Sequence, residues 1–395
     1  MTHLGYCTNI HPGEGWAEHF QNLKTSVPAV KAAFRPDAPL GLGLRLANEA
    51  SLALEKPGAL DELKTWLAEN DLYVFTMNGF PYGGFHGVRV KDQVHAPDWT
   101  TTDRRDYTIR LFRLLAQLLP DGLDAGGVST SPLSYRFWWK TPEVQADAVQ
   151  TATRHILETV DELIRLRETT GKTLHLDVEP EPDGILENSQ EFIGWYETVL
   201  QPAAALFFAE KRCFSETETR ERLRDHVRLC YDVCHFAVGY EQPADVLAAL
   251  EQAGIRVGKI QVSSALKVDL TSTFSEKITA LAQFDEPTYL HQVVARRADG
   301  GFDHHPDLPE ALAAASPEIH AEWRVHFHVP LFLERYGVLD STQDAVREVL
   351  RIQRETPFSA QLEVETYTWG VLPPDAQAPL NESIRRELDW VERLQ

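Results

Sequence analysis

Two kinds of segment alternate along the chain, and they differ in the spacing of their hydrophobic residues. Short segments in which every second residue is apolar are typical of strands, and longer segments with apolar residues three or four positions apart are typical of helices. The first kind predicts strands over residues 3–10, 40–46, 72–80, 127–131, 173–182, 227–233, 258–264 and 360–369. The second kind predicts helices that begin near residues 16, 57, 102, 142, 189, 243 and 342. Because strands and helices alternate through short loops, eight such units predict a parallel α/β fold, the (β/α)8 TIM barrel.

A further apolar segment, Arg324 to Phe332, makes nine candidate strands, one more than the barrel needs. We therefore assign it to an insertion after the seventh strand, with residues 269–323 as the body of that insertion inside a single domain, 1–395. Connections of this length usually have structure of their own or cover a site, so we predict a lid over the barrel. The alternative is a dimerisation arm, which would hold Arg296 far from the barrel.

The stretch from Thr173 to Pro182 organises the prediction of function. Its sequence, T-L-H-L-D-V-E-P-E-P, directs His175, Asp177 and Glu179 to one face of the strand. Buried carboxylates cost free energy unless a metal ion or a cation compensates them. Polar side chains at the C-terminal ends of strands also mark the active face of an α/β barrel, so we predict that Glu179 is a metal ligand.

Other strand ends carry groups of the same type. Asp232, Gln261 and Glu365 end the sixth, seventh and closing strands, and a barrel would bring them to Glu179. Three or four oxygen or nitrogen ligands around an open position are what a catalytic divalent ion requires. We therefore predict that these four residues share one ion. Glu363 lies on the same strand face as Glu365 but farther from the strand end.

Histidines add a second set of candidates. His235 follows Asp232 in D-V-C-H, and His326 and His328 share one face of V-H-F-H-V. A single histidine is usually a hydrogen-bonded core residue. Several histidines near the same strand ends are candidates for substrate contact or for a second metal ion.

Three further residues could contact a substrate, and each has a structural alternative. His86 lies in the glycine-rich loop P-Y-G-G-F-H-G, where an exposed loop position is the alternative. Arg45, on the second strand, could bind an anionic group or form a structural ion pair. Arg296, in the insertion, could reach an anionic substrate group or belong to a solvated loop.

Charge and composition narrow the class of substrate. With 38 Lys and Arg against 59 Asp and Glu, the formal net charge is −21, which repels nucleic acid and anionic membrane surfaces. We therefore predict a small-molecule metabolite as substrate and no nucleic acid partner. The N-terminus lacks a signal-peptide pattern and no apolar run reaches about 18 residues, so we predict a cytoplasmic protein without membrane insertion. The four cysteines form no C-x-x-C pair and are expected to be reduced.

Several of these segments resemble known families. The E-P-E-P segment at 179–182 resembles the E-P-x-P segment of xylose isomerases, whose first Glu binds metal, and D-V-C-H at 232–235 resembles the D-x-x-H segment of sugar epimerases and apurinic endonucleases. Segments from Y-C-T-N-I-H-P-G-E to E-V-E-T-Y-T-W, which together span nearly the whole chain, resemble the metabolite traffic protein EboE family. That family comprises xylose-isomerase-like barrels encoded with a bacterial cluster implicated in exporting or handling secondary metabolites.

The resemblance implies a metal-dependent isomerase or epimerase that acts on a small hydroxy-carbonyl metabolite, a sugar or a similar compound. The implied cofactor is one divalent ion, Zn, Mn or Mg, which holds adjacent substrate oxygens as a Lewis acid. Glu179 and Glu365 would exchange the carbon-bound proton as base and acid, while Asp232 and Gln261 complete the coordination. His235 would orient the substrate or bind a second ion. Proteins encoded in the same cluster are the implied partners.

Two departures from the relatives keep other functions open. Glu181 stands where xylose isomerases have Lys, and Gln261 stands where many relatives have His. The first alternative is a non-catalytic protein that binds a metabolite or hands it over. The second is a zinc phosphodiesterase related to apurinic endonucleases, in which His235, His326 and His328 extend the site to several zinc ions. The net charge of −21 argues against DNA as its substrate.

Overall fold

The computed structural model describes residues 2–85, 89–370, 372 and 377–395. Its strands are β1 (His3–Cys7), β2 (Leu40–Arg45), β3 (Leu72–Asn78), β4 (Ala125–Thr130), β5 (Thr173–Val178), β6 (Val227–Asp232), β7 (Val257–Val262), β8 (Leu266–Asp269), β9 (Val293–Arg297), β10 (Phe302–His305), β11 (His320–Val325), β12 (Arg335–Tyr336), β13 (Leu339–Ser341) and β14 (Gln361–Val364). Its α-helices are α1 (Trp16–Phe34), α2 (Asn48–Leu54), α3 (Ala59–Glu69), α4 (Thr102–Leu118), α5 (Pro142–Thr170), α6 (Ser189–Trp195), α7 (Gln201–Arg212), α8 (Glu216–His226), α9 (Val233–Val238), α10 (Pro243–Gln252), α11 (Phe274–Leu281), α12 (Leu308–Ala314), α13 (Gln343–Glu355) and α14 (Leu380–Glu392).

Eight parallel strands close into a barrel in the order β1-β14-β7-β6-β5-β4-β3-β2. The predicted (β/α)8 barrel with an insertion after its seventh strand is therefore confirmed. Its strands are almost wholly buried, and long helices such as α5 bury one face. The residue types at its two ends determine where the long helix α5 begins and ends. Thr141 caps its N-terminus by accepting a hydrogen bond from the backbone nitrogen of Val144, and Gly171 ends it at a φ of 75°.

Polar residues fill much of the barrel interior, and glycines make room for them. A Cβ at Gly43 would lie 1.5 Å from Oε1 of Glu363, and one at Gly258 would lie 1.8 Å from Oδ1 of Asp177. These glycines are therefore required for the buried acids to fit. A barrel interior of branched apolar layers would have no such requirement.

The insertion between β7 and α13 forms a second, antiparallel sheet in the order β10-β9-β11-β8-β13-β12. The sheet spans residues 266–341, which is wider than the predicted 269–323. Within this sheet, β9 pairs with β10 as a hairpin. The prediction of a strand over residues 324–332 is wrong beyond Val325, since β11 ends there and the chain runs on without regular structure to Pro330.

Other differences from the predicted elements are local. Helix α2 was not predicted because its seven residues are too few for the helical period to be visible. Strand β5 ends at Val178, since Pro180 and Pro182 cannot continue a ladder. No helix in the part of the chain that the structure describes is long and apolar enough to cross a membrane.

Candidate metal centre at the barrel mouth

Three carboxylates meet at the barrel mouth, by which we mean the C-terminal ends of the barrel strands. Glu179 directly follows β5, Asp232 is the last residue of β6, and Glu365 directly follows β14. Each offers an oxygen within 4.8 Å of an oxygen of the other two. Their exposed fractions are only 3%, 0% and 4%. We call these residues the carboxylate cluster, and the structure brings them together as the strand-end rule predicts.

Gln261, from β7, lies in the middle of the cluster but with its nitrogen inward. Its Nε2 donates to Oε1 of Glu179 over 3.3 Å, to Oδ2 of Asp232 over 3.4 Å, and to Oε2 of Glu365. In this orientation the amide bridges the carboxylates as a donor. Its predicted role as an oxygen ligand requires half a turn of the amide, and it stays a prediction.

Neighbouring side chains hold the carboxylates in place. Ser263 Oγ donates to Oδ1 of Asp232 over 2.6 Å. Asn9 and Asn78 each donate from Nδ2 to Oε1 of Glu365 over 2.8 Å. Sequence reasoning missed both asparagines because it searched for metal-type groups, yet both lie at the mouth end, Asn9 just beyond β1 and Asn78 as the last residue of β3. The same strand-end rule could have found them.

The electrostatics of the cluster fit a cation. Burial raises the pKa of Glu179 well above its usual range, and the charges of Glu365 and Asp232 raise it further. Burial and Asp232 raise the pKa of Glu365 in the same way. Oε2 of Glu179 is buried without a hydrogen-bond partner. Among the ion pairs of the described residues, none joins a Lys or Arg to these three carboxylates, so their oxygens are available to a divalent ion.

Glu363 has a cationic partner, which the carboxylate cluster lacks among the described residues. It lies two residues before Glu365 on β14, and its Oε2 is 2.5 Å from Nζ of Lys259 on β7. Both side chains are fully buried, and Lys259 also donates to Ser129 Oγ over 2.8 Å. Burial lowers the pKa of Lys259, but Glu363 and the nearby thiols outweigh this and raise it. Geometry therefore places Glu365 at the mouth and Glu363 in an internal ion pair.

Three histidines, which we call the histidine cluster, lie beside the carboxylates. Each uses its Nδ1–H to donate to an oxygen: His235 to the carbonyl of Pro180 over 3.0 Å, His326 to the side-chain oxygen of Gln292 over 2.8 Å, and His328 to the carbonyl of Glu365 over 2.9 Å. Nε2 of His326 and Nε2 of His328 are buried without a partner. Burial lowers the pKa of both rings, so they are neutral near pH 7.

The histidine cluster can therefore ligate metal as well. Fixing Nδ1 as the donor leaves each Nε2 lone pair free, which is how second-shell partners prepare imidazole ligands. Ligand atoms of Asp232, His235 and His328 lie within 4.8 Å of one another, as do those of Glu181, His235 and His326. The first of these groups shares Asp232 with the carboxylate cluster.

A cavity of about 70 Å³ lies over these groups. The barrel contributes Glu179, Glu365 and His235 to its lining, and the insertion contributes Gln292 and both histidines, His326 and His328. Glu181 also lines it, with Oε1 3.0 Å from Nε2 of His95, a residue that no sequence signal indicated. Both sheets thus enclose the same space. A lid function for the insertion stays a prediction.

Two of the remaining candidates, Arg45 and Arg296, do not line this cavity. Arg45 is fully buried on β2, pairs with Glu14 over 3.2 Å and donates to the carbonyl of Gly83 over 2.5 Å, so the structural alternative describes it. The side chain of Arg296 is 43% exposed, and its Nη2 lies 3.4 Å from Oε2 of Glu322 on the neighbouring strand, β11. Arg296 lies on the face of β9 that points away from the cavity. His86 lies outside the described residues.

Comparisons with known proteins complete the description. No protein-family model and no curated protein sequence matches the chain. A D-tagatose 3-epimerase-like protein of known structure is 9% identical, with 100% of this chain and 97% of that chain covered and a TM-score of 0.48. A xylose isomerase domain protein from Planctomyces limnophilus is 12% identical, with 100% and 96% covered and a TM-score of 0.47. The IOLI protein with a bound zinc atom is 12% identical, with 99% and 96% covered and a TM-score of 0.47.

Likeness at this level carries no argument about activity, so the barrel assignment rests on the strand order itself. Membership of the EboE family is a resemblance in the sequence that these comparisons do not show, and it stays a prediction. The site must therefore be interpreted from its own residues.

Proposed function

We propose that this protein is a divalent-metal-dependent isomerase or epimerase acting on a small hydroxy-carbonyl metabolite, within a secondary-metabolite traffic pathway. The observation that carries the proposal is the carboxylate cluster: three buried acids at the mouth of a TIM barrel, bonded to neutral donors rather than to Lys or Arg. Three buried carboxylates this close together cost free energy when no cation is bound, and they are suitable ligands for a divalent cation. Glu179, Asp232 and Glu365 would hold the ion, with Gln261 after rotation of its amide.

A divalent ion at this position supplies Lewis-acid polarisation of a substrate carbonyl. The chain's own residues supply the rest. Glu179 and Glu365 directly follow β5 and β14, two strands that are separated by two others around the barrel, so they face the cavity from different sides. One can take the carbon-bound proton while the other returns it.

Exclusion of water is the second contribution of the chain. The insertion lines the cavity with Gln292 and with His326 and His328, whose Nδ1 atoms are fixed by hydrogen bonds, and we propose that it acts as a lid over the site. Closure protects a reactive intermediate from side reactions with solvent. The predicted lid function therefore agrees with the proposed chemistry.

The proposal is tested by proton exchange. Metal-loaded protein in deuterated water is incubated with D-fructose, D-tagatose and dihydroxyacetone, and loss of the proton signal next to the carbonyl is followed by NMR. We expect exchange that chelation of the metal abolishes and that Glu179→Gln reduces at least about 100-fold. Asp225→Asn changes an acid just before β6, at the opposite end of that strand from Asp232 and outside the cavity lining, and should leave exchange intact. Saturable binding without exchange would instead indicate a hand-over protein.

The histidine cluster supports a second candidate, a zinc phosphodiesterase. Two ligand groups that include His235, beside the carboxylate cluster, are the donor sets of a site with more than one zinc ion. Metal analysis and hydrolysis of bis(p-nitrophenyl) phosphate test it. Two or more zinc ions per chain together with hydrolysis would favour this candidate, and one ion per chain without hydrolysis would exclude it.

A further inference from the structure

The cavity over the metal centre has two unlike walls. The deep wall is polar and acidic, with Glu179, Glu181 and Glu365 among its residues. The outer wall is formed by Phe85, Tyr289 and Tyr367, which we call the aromatic wall, and by aliphatic neighbours such as Val90 and Leu290. A ligand that reaches from the metal centre to the outside touches both walls.

The aromatic wall is assembled from three separate parts of the chain. Phe85 belongs to the loop after β3, Tyr289 to the insertion, and Tyr367 to the segment after β14. Their ring centroids lie 5.1 to 5.3 Å apart in each pair, and Tyr367 also packs on His328 at 4.6 Å. These rings therefore present apolar faces directly beside the candidate ligands.

Among the residues that the structure describes, Lys and Arg are scarce around the cavity. Among its lining residues in the described part of the chain, Lys91 is the one Lys or Arg, and its Nζ lies 2.5 Å from Oδ2 of Asp307. Arg45 and Arg296 are engaged elsewhere. Sites for phosphorylated or carboxylated ligands usually supply Arg, Lys or a helix N-terminus to the anion. Here an anionic ligand would instead meet the acidic deep wall.

We propose that the substrate is an uncharged hydroxy-carbonyl compound that carries an aromatic ring. Its oxygens would face the carboxylate cluster and its ring would pack against the aromatic wall, where aromatic pairs and apolar burial stabilise the complex. Because the cavity is only about 70 Å³, the ring of the ligand must take over part of the space in which Phe85, Tyr289 and Tyr367 now pack on one another. This inference rests on the proposed function for the position of the oxygens.

Two matched pairs of ligands test the inference by calorimetric titration of zinc-loaded protein. Hydroxyacetone and 2-hydroxyacetophenone share one α-hydroxy ketone head and differ in a methyl or phenyl substituent. Dihydroxyacetone and dihydroxyacetone phosphate differ in the phosphate. We expect the phenyl compound to bind at least tenfold more tightly than the methyl compound. We expect the phosphate to bind no more tightly than its uncharged partner.

Variants locate the effect. Tyr289→Ala should reduce the preference for the phenyl compound to threefold or less, with zinc content and hydroxyacetone affinity kept. Phe137→Ala removes an aromatic ring that is 52% exposed and does not line the cavity. This control variant should change neither the preference for the phenyl compound nor the zinc content. A Tyr289→Ala protein that keeps the full preference would overturn the role of the aromatic wall.

Failure of this inference and failure of the proposed function give different results. Equal affinity for the methyl and phenyl compounds, or tighter binding of the phosphate, would overturn the inference while leaving the metal site intact. Zinc binding without affinity for any of the four ligands would also overturn it. Ligand affinities that are the same with and without zinc, or no zinc uptake at all, would contradict the proposed function itself.

Discussion

Two buried carboxylates at the C-terminal end of β14, Glu363 within the strand and Glu365 directly after it, differ in the partners that compensate their charge. Glu363 faces Lys259 at 2.5 Å inside the barrel, where both side chains are fully buried. Glu365, two residues later, faces Glu179 and Asp232 and receives hydrogen bonds from neutral amides. In the internal pair, the charge of Glu363 is compensated by Lys259 of the same chain. In the carboxylate cluster, no ion pair of the described residues supplies a Lys or Arg, so we propose that a divalent cation compensates these acids and that Glu363 is structural whereas Glu365 binds the ion.

A third buried acid shows that charge compensation is not required when the acid is isolated. Glu387, on α14, is 1% exposed and accepts hydrogen bonds from the backbone nitrogen of Leu331 and from Oγ1 of Thr366. Burial raises its pKa to about 8. It is thus buried mainly as the neutral acid near pH 7, whereas the carboxylate cluster has three acids too close together for any one of them to be treated alone.

Removing the cation from the internal pair should have the largest effect. Lys259→Met leaves Glu363 buried without a partner and should lower the free energy of unfolding by about 3–5 kcal/mol. Urea denaturation followed by circular dichroism measures this. The double variant Lys259→Met/Glu363→Gln removes both charges and should recover most of the loss. A loss below about 1 kcal/mol for the single variant would mean that the pair is not the structural element inferred here.

Glu387 should make stability depend on pH. Because its pKa is raised in the folded state from 4.5 to about 8, the protonated form stabilises the fold, and this contribution is lost as pH rises towards 8. Between pH 5 and pH 8, the stability of the wild type should fall relative to that of Glu387→Gln by about 1.4 kcal/mol per pH unit. Chemical denaturation of both proteins at several pH values measures the difference. A constant difference across this range would show that Glu387 is charged in the folded protein.

The amide donors to Glu365 should matter less. Asn78→Ala removes one of the two hydrogen bonds to Oε1 of Glu365 and should weaken metal binding by about 10-fold, as outer-shell changes at metal sites commonly do. Calorimetric titration of the metal-free protein measures the affinity. Asn22→Ala, which removes an exposed amide that donates to the carbonyl of Pro12, is the matched control and should leave the affinity unchanged.

The fold and the convergence of the acids could be predicted because each depends on local order in the sequence. Periodicity gave the eight barrel strands, and position at the strand end separated Glu365 from Glu363. Partners across the barrel could not be predicted in the same way. Lys259 lies on the same strand face as Gln261, but only the closed barrel shows that it reaches Glu363 and not Glu365.

The direction of side chains was the second feature that could not be predicted from the sequence. Arg296 could be identified as a cation of the insertion, but which face of β9 meets the barrel depends on how the second sheet pairs, and Arg296 lies on the other face. The inward nitrogen of Gln261 follows from three carboxylates competing for one donor, which no spacing reveals. Glu181 was not paired with His95 because no spacing in the sequence reveals that contact, and the asparagines at the mouth were missed because the strand-end rule was applied only to metal-type groups.

Metal titration of a matched pair of variants tests the central claim most directly. Zinc and manganese are titrated calorimetrically into metal-free wild type, Glu365→Gln and Lys259→Met/Glu363→Gln, the last of which removes an acid two residues away without leaving a charge unpaired. We predict that Glu365→Gln weakens binding at least about 100-fold, while the double variant stays within about threefold of wild type. Binding that survives Glu365→Gln and is lost in the double variant, or a wild type that takes up neither metal, would contradict the account.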